Sequence, residues 1–450
     1  MARSAALAVA VVVLLALAGA TPAASVGTQP NGEWGNRAAI DETTAERQGS
    51  TATERQDDAT TERQDGTTTE TGDANREAVA VETEGFDPDY DPAEVLRRVE
   101  ELRGLSATEN VTLHEYDEAD RGTHDAQDRF GAIRPAGARA LQLYSNASTE
   151  RRQPLGYTVE RDSVHVYLMN ASDVAQYGVS QEAVLAHEFV HVLQFQHDLL
   201  SPSRASFRSA FQRWTTDARL VTTALVEGDA MWVTEQYLDR HDRGNYSVAD
   251  YNRTLARAAW PHSVAGLPYY YGYRYYEATG SSPEDRTATL ARPPNATAEL
   301  LHPDESISPT PLPDAPGVAD DGLTEYHTDT VGELVVRHAF RMNGLSFAQS
   351  ADLAEGWAND RMYYYVPENG TTPMTHWVTV WENASEASEF ADGWRALLRE
   401  NGAESVGDAL HVPASDEASG LYYVVEQDDD VVRVTAAPRE ELAERLSKSA

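Results

Sequence analysis

The chain has 450 residues, of which 41% are hydrophobic, and a formal net charge of −37 at pH 7. This length predicts two folded units plus unstructured sequence, and the acidity excludes a protein that binds nucleic acid through basic patches. The only lysine is Lys448. We interpret this acidic, lysine-poor composition as that of a halophilic protein.

The N-terminus has the pattern of an export signal. Arg3 supplies a positive charge, an apolar run extends from Ala5 to Ala20, and small residues follow to Ala24. We predict that residues 1–25 are a signal peptide or an uncleaved membrane anchor, and that the protein is secreted or held at the cell surface. Eight Asn-x-Ser/Thr sequons fit an exported glycoprotein, at Asn110, Asn146, Asn170, Asn245, Asn252, Asn295, Asn369 and Asn383.

Residues 26–88 are rich in Thr, Glu, Gln, Arg and Asp and contain a repeated Glu-Arg-Gln. Such a segment cannot bury enough apolar surface to offset its chain entropy, so it should be a disordered stalk. A catalytic domain should follow at 89–307, a Pro-rich linker at 308–322 and a smaller α+β domain at 323–450. The fold class we expect is α+β.

Apolar periodicity and capping residues predict the elements of the larger domain. Pro92 should open a helix, and Ser180 should cap the helix of greatest interest. The predicted elements are that first helix, strands at Val111–Leu113 and Ser163–Leu168, and helices at Gln181–His197 and Asp217–His241. A tyrosine cluster, Tyr269–Tyr276, follows without a predicted element.

The smaller domain should contain helices and a sheet but no catalytic constellation. Its predicted helices are Val331–Phe340, Ala351–Trp357, Ala384–Arg399 and Arg439–Leu446. Its predicted strands are Met374–Trp381 and a hairpin of Leu421–Glu426 with Val431–Thr435.

The sequence His187-Glu188-Phe189-Val190-His191 is the candidate metal-binding and catalytic motif. Residues four apart share one face of a helix, so His187 and His191 could bind one metal ion while Glu188 lies beside them. This is the zinc-peptidase pattern. The chain has no cysteine, so any metal must be held by histidine and carboxylate. His165, on the preceding strand, we interpret as structural.

Two residues compete to be the third ligand. His197 has the spacing of the HExxHxxGxxH peptidases, but the glycine that breaks their helix is Gln194 here, a good helix former. A continuing helix would carry His197 about 240° around from His191. Glu227, among apolar residues of the next helix, would be costly to bury unless it were paired or bound to metal. We favour Glu227.

A set of His187, His191 and Glu227 would leave zinc an open position for water, whose pKa the ion lowers. Glu188 could then act as general base. Tyr269 and His302 are the nearest candidates in sequence to stabilise the oxyanion of the transition state.

Four blocks together, HEFVHVLQFQH, ALVEGDA, PYYYG and LLHPD, resemble a family of exported HExxH proteins, zinc metallopeptidases of the gluzincin type that include haloarchaeal surface proteins. The resemblance implies a zincin-like domain with Zn²⁺ at His187, His191 and Glu227 and a base at Glu188. Its other two blocks fall on Tyr269 and His302. Many gluzincins carry an acid four residues after the glutamate ligand. That position is Met231 here, which leaves the partners of the histidines open.

Two functions from different classes fit these features. The first is an extracellular or surface zinc peptidase that hydrolyses peptides or proteins. The second is a catalytically inactive zinc-binding surface protein, an adhesin or envelope component. Glu188 favours the enzyme, because a protein that only binds metal has no need for a base beside its ligands. The sequence does not predict a substrate side chain or an oligomeric state.

Overall fold

The computed structural model describes the backbone of residues 10–13 and 262–265, and residues 79–117, 137–143, 154–160, 162–200, 215–241, 247–248, 250–251, 266–305, 307, 310–314, 322–367, 373–414 and 420–448 in full. The predicted stalk up to residue 78, most of the predicted signal segment and part of the predicted linker lie outside this set. Four of the sequon asparagines do so too, Asn146, Asn245, Asn252 and Asn369.

The described residues form a mixed α+β fold with two sheets. The helices α1 to α11 are Pro92–Arg103, Ala171–Val174, Gln181–Gln196, Thr216–His241, His262–Thr279, Pro283–Ala291, Thr297–Leu301, Glu333–Met342, Phe347–Asp352, Ala384–Glu400 and Glu440–Lys448. The strands β1 to β12 are Ala10–Val13, Val81–Glu84, Val111–Tyr116, Gly156–Glu160, Val164–Met169, Leu323–Asp329, Trp357–Pro367, Met374–Trp381, Glu404–Val406, Ala409–Val412, Leu421–Asp428 and Val431–Ala437.

The first sheet has the strand order β1-β4-β5-β3-β2. The strands β2, β3 and β5 are parallel, whereas β4 is antiparallel to β5, and β1 is antiparallel to β4. On β5, Val164, Val166 and Leu168 alternate toward the core that α3 covers. The predicted stalk extended to residue 88, but its last residues belong to the folded part of the chain. Val79 and Val81 of this segment pack against this core, and β2 joins the first sheet.

The helix α3 begins and ends close to its predicted limits. The Ser180 side chain accepts a hydrogen bond from the Ala183 backbone N–H and so caps the helix, as expected. All but two of its 16 residues are buried, because the helix lies between the first sheet on one side and α4 on the other. Its side chains are thereby held in place by packing on every face. Within the described part of the chain, no helix is both long and apolar enough to span a membrane.

The second sheet is antiparallel throughout, in the order β6-β7-β8-β12-β11-β10-β9. Aromatic residues from β8 and α10, including Trp377, Trp381 and Trp394, fill its core. Leu220 and Leu267, which precede the predicted linker, belong to the same core. The two predicted domains therefore pack together, while their boundary stays a prediction.

One predicted helix of the C-terminal part is wrong. In place of Ala351–Trp357, α9 begins earlier, at a capping box in which Ser346 and Gln349 exchange hydrogen bonds. Gly356 has a φ of 74°, which stops helical geometry, and Trp357 starts β7. The sequence prediction also missed the strands β6, β7, β9 and β10.

Candidate metal centre

The helix α3 buries several polar side chains, and three of them belong to the sequence motif. The exposed fractions of His187, Glu188 and His191 are 1%, 0% and 0%. The two histidines are four residues apart and lie on one face, with their Nε2 atoms 3.1 Å apart. Burying imidazole and carboxylate groups costs free energy unless they are hydrogen-bonded, paired with an opposite charge or bound to a metal.

Glu227 reaches the same point from α4, which packs against α3. Its Oε2 atom lies 3.3 Å from Nε2 of His187 and 3.4 Å from Nε2 of His191. These three groups form the one potential metal-binding cluster of His, Asp and Glu side chains found among the described residues. His197 does not join them.

The three donor atoms have the separation that a tetrahedral metal requires. Zinc ligands lie about 2.0–2.1 Å from the ion, so two ligands of a tetrahedron are about 3.3 Å apart. The measured edges are 3.1, 3.3 and 3.4 Å. Two imidazole nitrogens and one carboxylate oxygen could therefore hold a metal ion without rearrangement of the backbone.

The pKa values of His187, His191 and Glu227 depend on one another. Burial lowers the pKa of His187 to about 4. Burial also acts to lower the pKa of His191, but the charge and hydrogen bond of Glu227 outweigh it and raise that pKa to about 9. The His191 charge in turn lowers the pKa of Glu227 despite its burial. A cation bound between these three groups would favour neutral histidines and an ionised Glu227.

Glu188 lies beside the triad and is held by β4. Its Oε2 accepts a hydrogen bond of 2.6 Å from the Thr158 hydroxyl, while its Oε1 is buried and has no hydrogen-bond partner in the described structure. A Cβ atom at Gly156 would lie 2.8 Å from Oε1, so only glycine leaves room for the carboxylate there. Burial raises the pKa of Glu188 to about 8.

Two glycines explain how Glu227 and Tyr269 come together. A Cβ at Gly228 of α4 would lie 2.4 Å from the backbone of Gly272, and a Cβ at Gly272 of α5 would lie 1.8 Å from the Ala224 carbonyl oxygen. The two helices therefore touch backbone to backbone. This contact brings Tyr269, buried on α5, to Glu227. Burial, and then the charge of Glu227, raise the pKa of the Tyr269 hydroxyl well above its usual value.

The structure does not bring His302 to the triad. Its Nε2 lies 3.1 Å from Oε1 of Glu333 and 3.0 Å from Arg337 on α8. The hydrogen bond to Glu333 raises its pKa. His302 therefore belongs to a separate cluster at the start of α8.

The other two histidines considered from sequence have structural contacts. His197 is the C-terminal cap of α3, and its Nε2 lies 2.8 Å from the Ser106 carbonyl oxygen. His165 contacts His114 and Ser163 on the first sheet, away from the side that faces α3. Neither supplies an atom to the candidate metal centre.

Sequence reasoning missed the residues that surround the ligands. Gln194 was considered only as a helix former, yet its Oε1 lies 2.8 Å from Nδ1 of His191. Thr158 and Gly156 lie on β4, for which no strand was predicted. The sequence did contain a signal for the contact between α4 and α5. The EGDA and PYYYG blocks each include a glycine, and a glycine inside a helix often marks a close approach of two backbones.

One family model, described as a domain of unknown function (DUF8575), matches residues 322–447. This match covers the second sheet and the helices α8 to α11, and it includes none of the triad. Searches of curated proteins and of solved structures found no match. Any inference about activity therefore rests on the geometry of the site.

Proposed function

We propose that the protein is a zinc-dependent peptidase that acts outside the cell or at its surface. The observation that carries this proposal is the free Oε1 of Glu188. It is fully buried beside three potential ligands, and its partner oxygen is fixed by Thr158. A protein that only stored or bound metal would gain nothing from an unpaired carboxylate oxygen at that position.

The residues of the chain have separate tasks in this proposal. His187, His191 and Glu227 hold the ion, which when bound lowers the pKa of a water molecule toward neutrality and acts as a Lewis acid. A cation held by the triad would favour the ionised form of Glu188, which could then take a proton at Oε1 and give it to the leaving amine. We assign to the Tyr269 hydroxyl, which is buried at Glu227, a hydrogen bond to the developing oxyanion. His302 has no part in it.

The arrangement of elements supports a zincin-like fold for the region before β6. A mixed sheet, its antiparallel strand β4 next to the glutamate, a motif helix and a second helix with the third ligand are what that fold requires. The family resemblance of the HEFVH, EGDA and PYYYG blocks points the same way. The C-terminal sheet has no role in the chemistry that we propose.

The burial of the triad favours a second candidate, a zinc-binding surface protein without peptidase activity. His187, His191 and Glu227 are exposed by only 1%, 0% and 3%. The strand β1 also pairs with β4, the strand that contacts Glu188. An extended substrate could join β4 only where β1 now lies. Because β1 falls within the predicted signal segment, cleavage after residue 25 would remove it.

Metal analysis and a peptide-library assay test the proposal. The chain should contain about one zinc and should cleave peptides, in high salt, more rapidly as a chain that starts at residue 26. Glu188→Gln should keep its zinc and lose about 10²–10⁴ in turnover. The matched control is Glu182→Gln on the same helix, whose carboxylate contacts Tyr237 and Arg98 instead. Zinc without cleavage in either chain length would favour the second candidate.

A further inference from the structure

Gln194 connects His191 to a buried charge cluster. Its side chain is fully buried. Its Oε1 lies 2.8 Å from Nδ1 of His191, and its Nε2 donates to the Val226 carbonyl oxygen at 3.0 Å and to Oδ2 of Asp229 at 2.9 Å. All of its hydrogen-bonding groups are therefore engaged inside the protein.

These contacts determine which way the amide faces. Both hydrogens of Nε2 point to groups that can only accept, a carbonyl and a carboxylate. The opposite orientation would turn Oε1 toward two acceptors and leave them unpaired, which is costly in a buried site. With Oε1 facing His191, the atom Nδ1 must carry a proton. The lone pair available for a metal is then on Nε2, the atom that faces Glu227.

Asp229 is itself held rigidly. Its Oδ1 accepts from Nε of Arg286 at 2.8 Å and its Oδ2 accepts from Nε of Arg103 at 2.9 Å. Arg103, Asp229 and Arg286 are exposed by 0%, 0% and 2%. The three charges come from α1, α4 and α6, so the carboxylate that orients Gln194 is tied to three helices. A buried cluster of this kind cannot rotate without leaving a charge unpaired.

We propose that Gln194 is a positioning residue that fixes His191 in the tautomer with Nδ1 protonated and Nε2 directed at the metal. The amide, anchored by Asp229, does what a carboxylate or carbonyl commonly does for a metal-bound histidine. Gln194 thus gives a ligand histidine the hydrogen-bond partner that the methionine at position 231 cannot provide. His187 has a weaker counterpart, Thr234, whose hydroxyl donates to the Ala230 carbonyl oxygen and lies 3.4 Å from Nδ1.

This inference rests on the proposed metal site and not on peptide hydrolysis. The test is Gln194→Met, which keeps the volume of the side chain and removes its acceptor and donors. Gln196→Met is the matched control. It is the same substitution two residues further along α3, and it removes hydrogen bonds to Thr108 and Glu109 instead.

The first measurement is the zinc dissociation constant, by competition with a chelator, on protein with wild-type circular dichroism. Gln194→Met should weaken zinc binding about 10–100-fold, whereas Gln196→Met should stay within about threefold of wild type. Unchanged zinc affinity in Gln194→Met overturns the proposal. Equal losses in the Met variants at 194 and 196 also overturn it.

The second measurement needs no metal. In protein labelled with ¹⁵N at the histidine rings and held at a pH above the His191 pKa of about 9, so that the ring is neutral, Nδ1 of His191 should have the chemical shift of a protonated nitrogen. In Gln194→Met that shift should move toward the average of the two tautomers. A wild-type Nδ1 without a proton overturns the inference. If wild type binds no zinc, the proposed metal site fails. The ring shifts still show whether Gln194 fixes the tautomer of His191.

Discussion

Gly272→Ala should separate the two helices that bring Tyr269 to Glu227. The new Cβ would lie 1.8 Å from the Ala224 carbonyl oxygen, where ordinary contacts begin at 3.4 Å. The helices α4 and α5 must therefore move apart by about 1.6 Å. Since α4 is held on its other side by α3 and by the ion pairs of Asp229, α5 is the helix that should move.

The energetic cost follows from overpacking. An inserted methyl group that forces a backbone shift costs about 1–3 kcal/mol, and a clash this short belongs at the upper end. About 3 kcal/mol corresponds to a melting temperature lower by roughly 5–10 °C. Zinc content should persist, because Glu227 stays with α4, while turnover falls as Tyr269 moves away.

The assays are thermal denaturation, zinc stoichiometry and peptide turnover. Gly344→Ala is the matched control, because its Cβ would meet nothing within 4 Å and only its φ of 101° is unfavourable. Gly228→Ala perturbs the same contact, so the double variant should lose less stability than the sum of the two single losses. A melting temperature of Gly272→Ala equal to wild type would show that the backbones do not touch.

Two further predictions concern other parts of the molecule. His197→Ala should leave the zinc content unchanged, as measured by metal analysis, because His197 contacts the Ser106 carbonyl and not the triad; loss of zinc would revive the three-histidine set. Burial raises the pKa of Asp217 to about 7, so its contribution to stability is present below pH about 4 and is lost as the pH rises to about 7. Denaturation titrations should show a slope of up to about 1.4 kcal/mol per pH unit in that window, and Asp217→Asn should reduce it; an equal slope in the variant would contradict the assignment.

Local signals were sufficient for elements whose caps and periodicity agree. Asp91 and Pro92 start α1, Ser180 starts α3, and the aromatic-rich segment Met374–Trp381 is the strand β8. Where local signals conflict, the prediction was incomplete. The tyrosine-rich segment forms the helix α5 although Pro268 lies inside it, because the close contact with α4 and burial of Tyr276 outweigh the lost hydrogen bond.

For the candidate site, the sequence by itself determined which side chains share a helical face. Spacing placed His187, Glu188 and His191 together, and the cost of burying Glu227 pointed to it as their partner. Tertiary structure decided everything that depends on residues far apart in the chain. It placed His302 with Glu333, Thr158 with Glu188, and Asp229 with Gln194. Helical periodicity reports neighbours within about one turn, whereas the orientation of a ligand depends on the helices and strands packed around it.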